Sequence, residues 1–371
     1  MNNSIRRLCL FIALLGSTWL ATPLQAADGV SKSTITIGQP TALTGAAAAL
    51  ALPFHQGAKL YFDRVNAAGG INGRSINLIV LDDGGNPAAT RTNAQKLVQG
   101  GVLALFGSYG SAQTTAAYEA AKESDTLLFA PMAAADELQG ANFPNLYSIR
   151  PGYSEEALAI VRHSQTLGAR KLAIAHGRDT ESLSALDAAK RTMQALGADT
   201  VGEGPLDTID KLLAARPQSL LVIGTPQEAA KAVRDARTKG FRGPIYGFSN
   251  TGESLLAEQL GSAGAGVVLV RVTPRSDNAK SVVVRELIQD AQNAKLGKPN
   301  VYMLEGYIAA RALAEAVRKA GKEPTPTKLR KAIEGLNEWD MGGFRVSFDG
   351  GRTGSKLVEL SLIDSLGKVR E

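Results

Sequence analysis

Short apolar runs alternate with amphipathic stretches along most of the chain. The clearest unit is residues 102–134, in which an apolar run, a Gly/Ser break, a helical stretch and a second apolar run follow one another. Short runs that are apolar throughout are typical of strands buried on both faces of a parallel sheet. The unit therefore predicts a strand, a tight turn, a helix and a parallel strand.

The same alternation continues on both sides of this unit. Upstream, strands are predicted over residues 32–38 and 75–81 and a helix over 53–68, while Asn86 and Pro87 suit the N-cap and first position of the next helix. Downstream, predicted helices alternate with predicted strands over residues 171–176, 219–223, 245–248 and 266–272. Strands that alternate with helices of this length predict an α/β fold with two doubly wound parallel sheets.

The last third of the chain departs from this alternation. Helices are predicted over residues 281–294, 302–319 and 327–335, and strands over 344–348 and 357–363. Since successive helices cannot build a third parallel sheet, we expect them to cover the first sheet and the final strands to cross to the second. Residues 146–153 are extended and predict an earlier crossover between the two lobes.

The N-terminus has the pattern of a secretory signal peptide. Arg6 and Arg7 precede an almost entirely apolar run over residues 8–20, and Ala26 ends a small-residue cleavage site. The run is shorter than the ~20 residues that a membrane-spanning helix needs, which favours a cleaved signal over an anchor. We therefore expect residues 27–371 to be free in the periplasm of a Gram-negative cell. Cys9, the one cysteine, lies in the signal, so the mature chain has no disulfide or thiolate site.

Charge and histidine spacing exclude several classes of function. The chain has 371 residues and a formal charge of +6, two units of which come from the signal peptide. The remaining charge is small and mixed, which predicts no nucleic-acid or membrane-surface binding. The three histidines show no ligand spacing, so we predict no metal and no cofactor. No nucleophile, base and orienting group can be assembled from motifs, which argues against an enzyme.

Two loops form a candidate binding site. Residues 107–111 (GSYGS) and 130–134 (APMAA) each follow a predicted strand. The carboxyl ends of parallel strands meet at one sheet edge, where ligands of open α/β sheets bind. Free N–H groups at the helix start after the first loop suit a carboxylate or another polar group. The candidate residues on these loops are Ser108, Tyr109, Ser111, Met132, Ala133 and Ala134.

Several segments together resemble one family of proteins. They are residues 41–45 (TALTG), 67–74 (AAGGINGR), Asp82-Asp83 at a strand end, 104–108 (ALFGS) and 129–134 (FAPMAA). With the signal peptide, they resemble the leucine/isoleucine/valine-binding family of periplasmic solute-binding proteins over the whole mature chain. The resemblance implies two α/β lobes that close on a small solute and deliver it to an ABC permease in the inner membrane.

The resemblance also implies where the chain passes between the lobes. Three crossovers are expected, near Ile149-Arg150, Val272-Thr273 and Met341-Gly342. The N-terminal lobe would then consist of residues 27–149 and 273–341, and the C-terminal lobe of residues 150–272 and 342–371.

The family's pocket is only partly present. The family's serine that holds an amino acid's carboxylate matches Ser111 in this chain. Ala134 stands at the position of the family's threonine, and Ser249 stands at the position of the family's acid that pairs with the ammonium. One pocket tyrosine matches Thr225 and another falls near Glu181. A buried ammonium without its acid costs about 3–5 kcal/mol. A branched-chain or other amino acid is therefore expected only if an acid substitutes, and the candidates are Asp179, Glu181 and Glu253.

Other ligands and roles fit the same sequence. An aliphatic or aromatic carboxylate or an amide is as well matched to the pocket as an amino acid. His176 ends a second-lobe strand and is a further candidate for ligand contact. The resemblance also allows a ligand-sensing subunit of a signalling receptor, such as an amide or organic-acid sensor, which gene neighbours or a pull-down would distinguish from an importer component.

Overall fold

The first lobe is built on a five-stranded sheet. The structure is a computed structural model and describes residues 29–370. The first elements are β1 (Thr34–Thr41), α1 (Ala48–Ala67), β2 (Ser75–Asp82), α2 (Pro87–Gln99), β3 (Ala104–Phe106), α3 (Ser111–Ala121), β4 (Leu127–Phe129) and β5 (Leu146–Tyr147). The strands are all parallel, in the order β2-β1-β3-β4-β5.

The second lobe is built on a seven-stranded sheet. The chain continues through α4 (Tyr153–Thr166), β6 (Lys171–His176), α5 (Thr180–Ala195), β7 (Asp199–Pro205), α6 (Ile209–Ala214), β8 (Ser219–Ile223), α7 (Pro226–Thr238), β9 (Ile245–Gly247), α8 (Glu253–Leu260) and β10 (Val267–Arg271). These strands are parallel, and two later strands, β13 (Glu359–Ile363) and β14 (Val369–Arg370), join antiparallel at one edge. The two sheets confirm the predicted fold class.

The remaining elements return to the first lobe. They are α9 (Val282–Asn293), α10 (Val301–Lys319), α11 (Pro326–Glu334), β11 (Trp339–Asp340) and β12 (Arg345–Val346). Helix α10 packs against α1 so closely that a Cβ on Gly57 would lie 1.8 Å from the Met303 carbonyl oxygen. A Cβ on Gly306 would lie 1.9 Å from the carbonyl oxygen of Phe54. The expectation that these helices cover the first sheet is confirmed.

The third crossover lies later in the chain than expected. Met341, Phe344, Val346 and Phe348 are buried in the core of the first lobe, on both sides of the expected crossover at Met341-Gly342. The strand predicted over residues 344–348 is therefore part of the first lobe, where β12 pairs with β11. Only the last predicted strand joins the second sheet, as β13.

The first and third crossings run side by side. The Ser148 N–H donates to the Arg352 carbonyl at 2.8 Å, and the Gly354 N–H donates to the Ser148 carbonyl at 2.7 Å. From these contacts we place the third crossing at residues 353–358, after the Phe348 side chain has packed in the first lobe.

Two further differences concern individual elements. Strand β7 and helix α6 are absent from the prediction because Asp199–Pro205 contains two glycines and two acids and forms the sheet edge. Helix α1 begins five residues before the predicted start at Pro53, in an Ala- and Leu-rich stretch with high helix propensity.

Between residues 29 and 370, no helix has the length and apolar character needed to cross a bilayer. The predicted signal peptide, residues 1–26, lies outside the described residues.

Candidate functional site

The two loops predicted as a site lie against each other. The Gly110 N–H donates to the Met132 carbonyl at 3.0 Å, and the Met132 N–H donates to the Ser108 carbonyl at 2.8 Å. Gly107 and Gly110 have φ angles of 61° and 89°, which let the chain turn from β3 into α3. Helix α3 begins at Ser111, so its free N–H groups stand at the carboxyl edge of the sheet.

The first N–H of α3 binds a carboxylate from the other lobe. Ser111 N donates to Glu181 Oε2 at 2.7 Å, and Glu181 lies in the first turn of α5. The Tyr153 hydroxyl donates to the other Glu181 oxygen at 2.5 Å. The Ser111 hydroxyl accepts from the Ala135 N–H at 3.3 Å. The N–H at the start of α3 thus binds a carboxylate, and this carboxylate is a side chain of the protein itself.

Two tyrosines beside Glu181 keep their protons. Tyr153 is buried, and burial and the nearby Glu181 carboxylate raise its pKa well above the ordinary value. Burial likewise raises the pKa of Tyr109, which packs against the first-lobe core. Both phenols are therefore protonated at neutral pH, and Tyr153 can donate to a carboxylate. The Tyr153 N–H also donates to the Ala134 carbonyl at 2.8 Å, which ties α4 to the second loop.

Ser249, the position expected to carry the ammonium-binding acid, is bonded to an acid from another element. The Ser249 N–H donates to Glu156 Oε2 at 2.9 Å, and its hydroxyl donates to Glu156 Oε1 at 2.8 Å. Arg150 also donates to the Ser249 hydroxyl. Glu156 lies on α4, so a carboxylate is present at this place although residue 249 does not supply it.

Arg150 joins carboxylates from both lobes. Its Nη2 atom lies 3.1 Å from Glu156 Oε1, and its Nη1 atom lies 3.3 Å from Glu305 Oε1 on α10. All three side chains are buried. We call Arg150, Glu156, Ser249 and Glu305 the Arg150 cluster.

The Arg150 cluster has two acids for one base. Burial raises the pKa of Glu156 and of Glu305, although Arg150 opposes this shift. Burial also opposes the charge of Arg150, but the two carboxylates outweigh it and raise the Arg150 pKa. Within the described residues, the buried Arg150 Nε has no hydrogen-bond partner. The cluster therefore carries an excess negative charge when both acids are ionised.

Tyr302 forms a second link between the lobes. It lies on α10, and its hydroxyl donates to the Ser249 carbonyl at 3.0 Å and accepts from the Glu253 N–H at 3.1 Å. Glu253, a predicted substitute acid, is buried, and its Oε1 lies 4.0 Å from Arg271 Nη1. Burial raises the pKa of Glu253.

The other predicted second-lobe residues serve as helix caps. Asp179 caps α5 and accepts from the Ser182 N–H at 3.0 Å and the Ser182 hydroxyl at 2.6 Å. Thr225 caps α7 and forms a reciprocal capping box with Glu228. Both caps are exposed, and these hydrogen bonds of the Asp179 and Thr225 side chains lie at the start of their own helices. Ser108, Met132, Ala133 and Ala134 are buried around the two loops.

His176 lies at a separate depression. Its Nδ1 atom is 2.7 Å from the Gly177 carbonyl oxygen, and it lines a cavity of about 270 Å³ with Asp207, Glu228 and Lys231. Among residues 29–370, no group of three or more His, Cys, Asp or Glu side chains is arranged to hold a metal ion.

The prediction missed Arg150, Glu156, Glu305, Tyr153 and Tyr302. A signal exists for Glu305, which interrupts the otherwise apolar residues 301–304 and 306–310. Charged side chains are almost never fully buried unless they are paired, so an acid in such a stretch indicates a buried partner. Nothing in the local sequence identifies that partner as Arg150.

Comparisons with known proteins agree with this fold. A family model described as periplasmic binding protein matches residues 34–358. The leucine-, isoleucine-, valine-, threonine- and alanine-binding protein of Pseudomonas aeruginosa is 24% identical over 368 residues, which cover 94% of this chain and 93% of that protein.

Solved structures show the same architecture. A substrate-binding periplasmic protein from Ralstonia solanacearum has a TM-score of 0.83 and 29% identity, with 90% of this chain and 99% of that chain covered. A fatty acid ABC transporter substrate-binding protein from Thermomonospora curvata has a TM-score of 0.83 and 22% identity, with 92% of each chain covered. The fold is thus shared by proteins whose names give different solutes.

Proposed function

The chain belongs to the periplasmic binding protein family, and from that membership we propose that it is the solute-binding component of an ABC importer. It captures a small amino-acid-like or carboxylate solute between its two lobes. The solute stabilises the closed form because it contacts both lobes only in that form. The closed protein then delivers the solute to a permease in the inner membrane.

The single observation that carries the choice of solute is the carboxylate at the start of α3. Glu181 Oε2 accepts from the Ser111 N–H at 2.7 Å, so the geometry of this helix N-terminus suits a carboxylate. The helix dipole and the free N–H groups of the first turn both favour an anion at this place. In our proposal the solute's own carboxylate binds here, beside Ser108, Tyr109, Met132, Ala133 and Ala134.

The Arg150 cluster supports an amino-acid-like solute. Glu156 is held against Ser249, at the position that matches the family's ammonium-binding acid. Two carboxylates share one guanidinium there, so the cluster can accept another cation. The name of the Pseudomonas aeruginosa relative, which gives five amino acids, agrees with this choice. A carboxylate solute that lacks an amino group needs only the N–H donor at the start of α3.

The proposal is tested by screening residues 27–371 after unfolding and refolding, which removes any solute that copurifies. Thermal shifts are recorded with L-amino acids, amino-free carboxylates and amides. A solute at a hundredfold excess over its Kd stabilises the folded state by about 2.7 kcal/mol. Stabilisation by a carboxylate supports the proposal, and stabilisation by amides alone contradicts it.

A pair of variants locates the solute. Ser111→Pro removes the N–H donor, and proline is favoured at the first position of a helix. Ser111→Ala keeps the N–H and removes only the hydroxyl. Both changes are made together with Glu181→Ala, because Glu181 accepts from the same N–H. We expect calorimetry to show a carboxylate binding at least about tenfold more weakly to the proline variant than to the alanine variant, because the lost hydrogen bond is charge-assisted. Equal affinities would place the solute elsewhere.

The proposed location is the periplasm, reached through cleavage of residues 1–26. Fractionation of cells that express the full chain, with sequencing of the mature N-terminus, tests this directly. We expect a periplasmic protein that begins at Ala27. A membrane-bound protein that retains residue 1 would contradict the signal-peptide prediction.

A further inference from the structure

The Glu181 carboxylate lies in the first lobe's anion site although Glu181 belongs to the second lobe. It accepts from Ser111 N on α3 and from the Tyr153 hydroxyl on α4. We propose that Glu181 is a built-in competitor for the solute's carboxylate: it closes the lobes without solute and must be displaced when a carboxylate solute binds. This inference rests on the proposed function, because it concerns the same site.

The contact holds the two lobes together through a strong type of hydrogen bond. An ionised acceptor on a backbone N–H at a helix N-terminus gains from both the charge and the helix dipole. Helix α5 of the second lobe contacts α3 of the first at this point. The Glu181 carboxylate therefore bonds the Ser111 N–H directly. Glu181 is half-buried, which limits the competition from water.

The neighbours of Glu181 hold it in this place. Asp179 caps α5 through Ser182 and fixes the first turn of the helix. Tyr153 is buried and donates to the carboxylate oxygen that Ser111 does not bind. The side chain therefore has one hydrogen bond within its own lobe and one across to the other. Opening the lobes breaks only the second.

A carboxylate solute and Glu181 cannot share the Ser111 N–H. Two carboxylates at one donor repel each other, and the donor provides a single hydrogen. A solute with a carboxylate therefore binds only to the fraction of molecules in which Glu181 has moved away, and its apparent affinity falls by that fraction. A solute that lacks a carboxylate does not compete for this donor. Glu181 thus also determines which solutes bind well.

The closing effect is tested without any solute. Residues 27–371 contain no cysteine, so Thr92→Cys in the first lobe and Lys211→Cys in the second can carry spin labels at two exposed positions. The label distance is measured in the refolded protein, in Glu181→Ala and in Asp187→Ala. Asp187 is an exposed acid on the same helix and, among residues 29–370, pairs with Arg191, so it serves as a matched control.

We expect a short label distance in the wild type and the Asp187→Ala variant, and a longer one in Glu181→Ala. Tyr153→Phe, which leaves the carboxylate in place but removes one of its hydrogen bonds, should give an intermediate distance. A wild-type distance equal to that of Glu181→Ala would overturn the closing role.

The competition is tested with three probes of similar shape: L-leucine, 4-methylpentanoate and 4-methylpentanamide. We expect Glu181→Ala to bind the two carboxylates on the order of tenfold more tightly than the wild type, with no gain for the amide. An equal change in affinity for all three probes would overturn the proposed effect of Glu181 on which solutes bind. If none of them binds, the proposed solute class fails, while the label distance still decides whether Glu181 closes the lobes.

Discussion

Arg150 and Glu305 form a buried ion pair in which the Nη1 and Oε1 atoms lie 3.3 Å apart. Arg150 lies in the first crossing between the lobes, and Glu305 lies on α10 of the first lobe. The same guanidinium bonds Glu156 on α4 of the second lobe. One side chain therefore joins the crossing to both lobes.

Replacement of Arg150 should strongly destabilise the protein. Arg150→Met leaves Glu156 and Glu305 buried without a cation, and breaking a buried ion pair on one side costs about 3–5 kcal/mol. We expect urea unfolding to show a loss of this size in the free energy of unfolding. Arg318→Met, which removes an exposed pair with Glu315, should change it by less than about 1 kcal/mol. Similar losses in the two variants would contradict the role of the cluster.

The Arg150 cluster should also make stability depend on pH. Burial raises the folded-state pKa of Glu305 above the ordinary value of 4.5. Glu305 therefore binds a proton more readily in the folded state than in the unfolded state. The stability gained from this proton is complete below the unfolded pKa of Glu305 and is lost as the pH rises through its raised folded pKa. Relative to Glu305→Gln, the wild type should lose free energy of unfolding as the pH rises from about 4.5 towards neutrality.

The measurement is urea unfolding of the wild type and the Glu305→Gln variant at a series of pH values. Comparing the two cancels groups that titrate in both proteins, such as Asp82, whose pKa is lowered to about 2 chiefly by a hydrogen bond from Thr44. If the difference in free energy of unfolding between the wild type and Glu305→Gln is constant with pH, Glu305 keeps an ordinary pKa in the folded protein.

The contact between α1 and α10 should not accept a methyl group. A Cβ at Gly57 would lie 1.8 Å from the Met303 carbonyl oxygen, so Gly57→Ala must push the helices apart. Overpacking of this kind typically costs about 1–3 kcal/mol, and the contact with backbone puts the expected loss at the upper end. Gly297→Ala is the control, because a Cβ there meets no atom within 4 Å. Thermal unfolding should separate the two variants clearly.

Thr225 should contribute to stability rather than to binding. Its side chain accepts from the Glu228 N–H and donates to the Glu228 carboxylate in the capping box of α7. Thr225→Ala should lower the free energy of unfolding by about 1 kcal/mol, the usual effect of losing a cap. Thr225→Ser keeps the hydroxyl and should keep the stability. Calorimetry with a solute from the screen should show the same affinity for both, and a selective loss in the alanine variant would place Thr225 in the pocket.

Much of the fold follows from local patterns in the sequence. Buried strands such as Lys171–His176 and Ser219–Ile223 have their predicted bounds because short apolar runs end at glycine or polar residues. The Asn86 cap and the adjacency of Ser108 and Met132 follow from capping preference and parallel topology. The edge strand β7 could not be found in this way, since an edge strand needs no continuous apolar run.

The site is less predictable because its polar contacts join distant parts of the chain. Arg150 is 155 residues from Glu305 and 99 residues from Ser249. Residue 249 alone indicates a missing acid, yet Glu156, 93 residues earlier, lies against it. Likewise, the start of α3 predicts an anion site, but only the folded protein shows that Glu181, 70 residues later, occupies it. Sequence patterns identify donors and acceptors, whereas their pairing depends on how the lobes meet.

Tyr302 should help to determine how far the lobes close. Its hydroxyl on α10 of the first lobe bonds the backbone of Ser249 and Glu253 in the second, and opening the lobes breaks both bonds. Tyr302→Phe removes them without changing the ring. Each hydrogen bond contributes about 0.5–1.5 kcal/mol. Loss of both should cost the closed form about 1–3 kcal/mol, which is roughly fivefold to a hundredfold in relative population.

The spin-label pair described above measures this change. Tyr118→Phe serves as the control, because the buried Tyr118 ring packs against Phe143 within a core cluster of the first lobe. We expect a longer mean label distance in Tyr302→Phe and an unchanged one in Tyr118→Phe. If Tyr302→Phe and Glu181→Ala each open the protein and the double variant opens it further, the two contacts act independently. If Tyr302→Phe leaves the distance unchanged, the remaining contacts between the lobes, which include Glu181, the Arg150 cluster and the pair between Arg191 and Asp136, are sufficient to hold them closed.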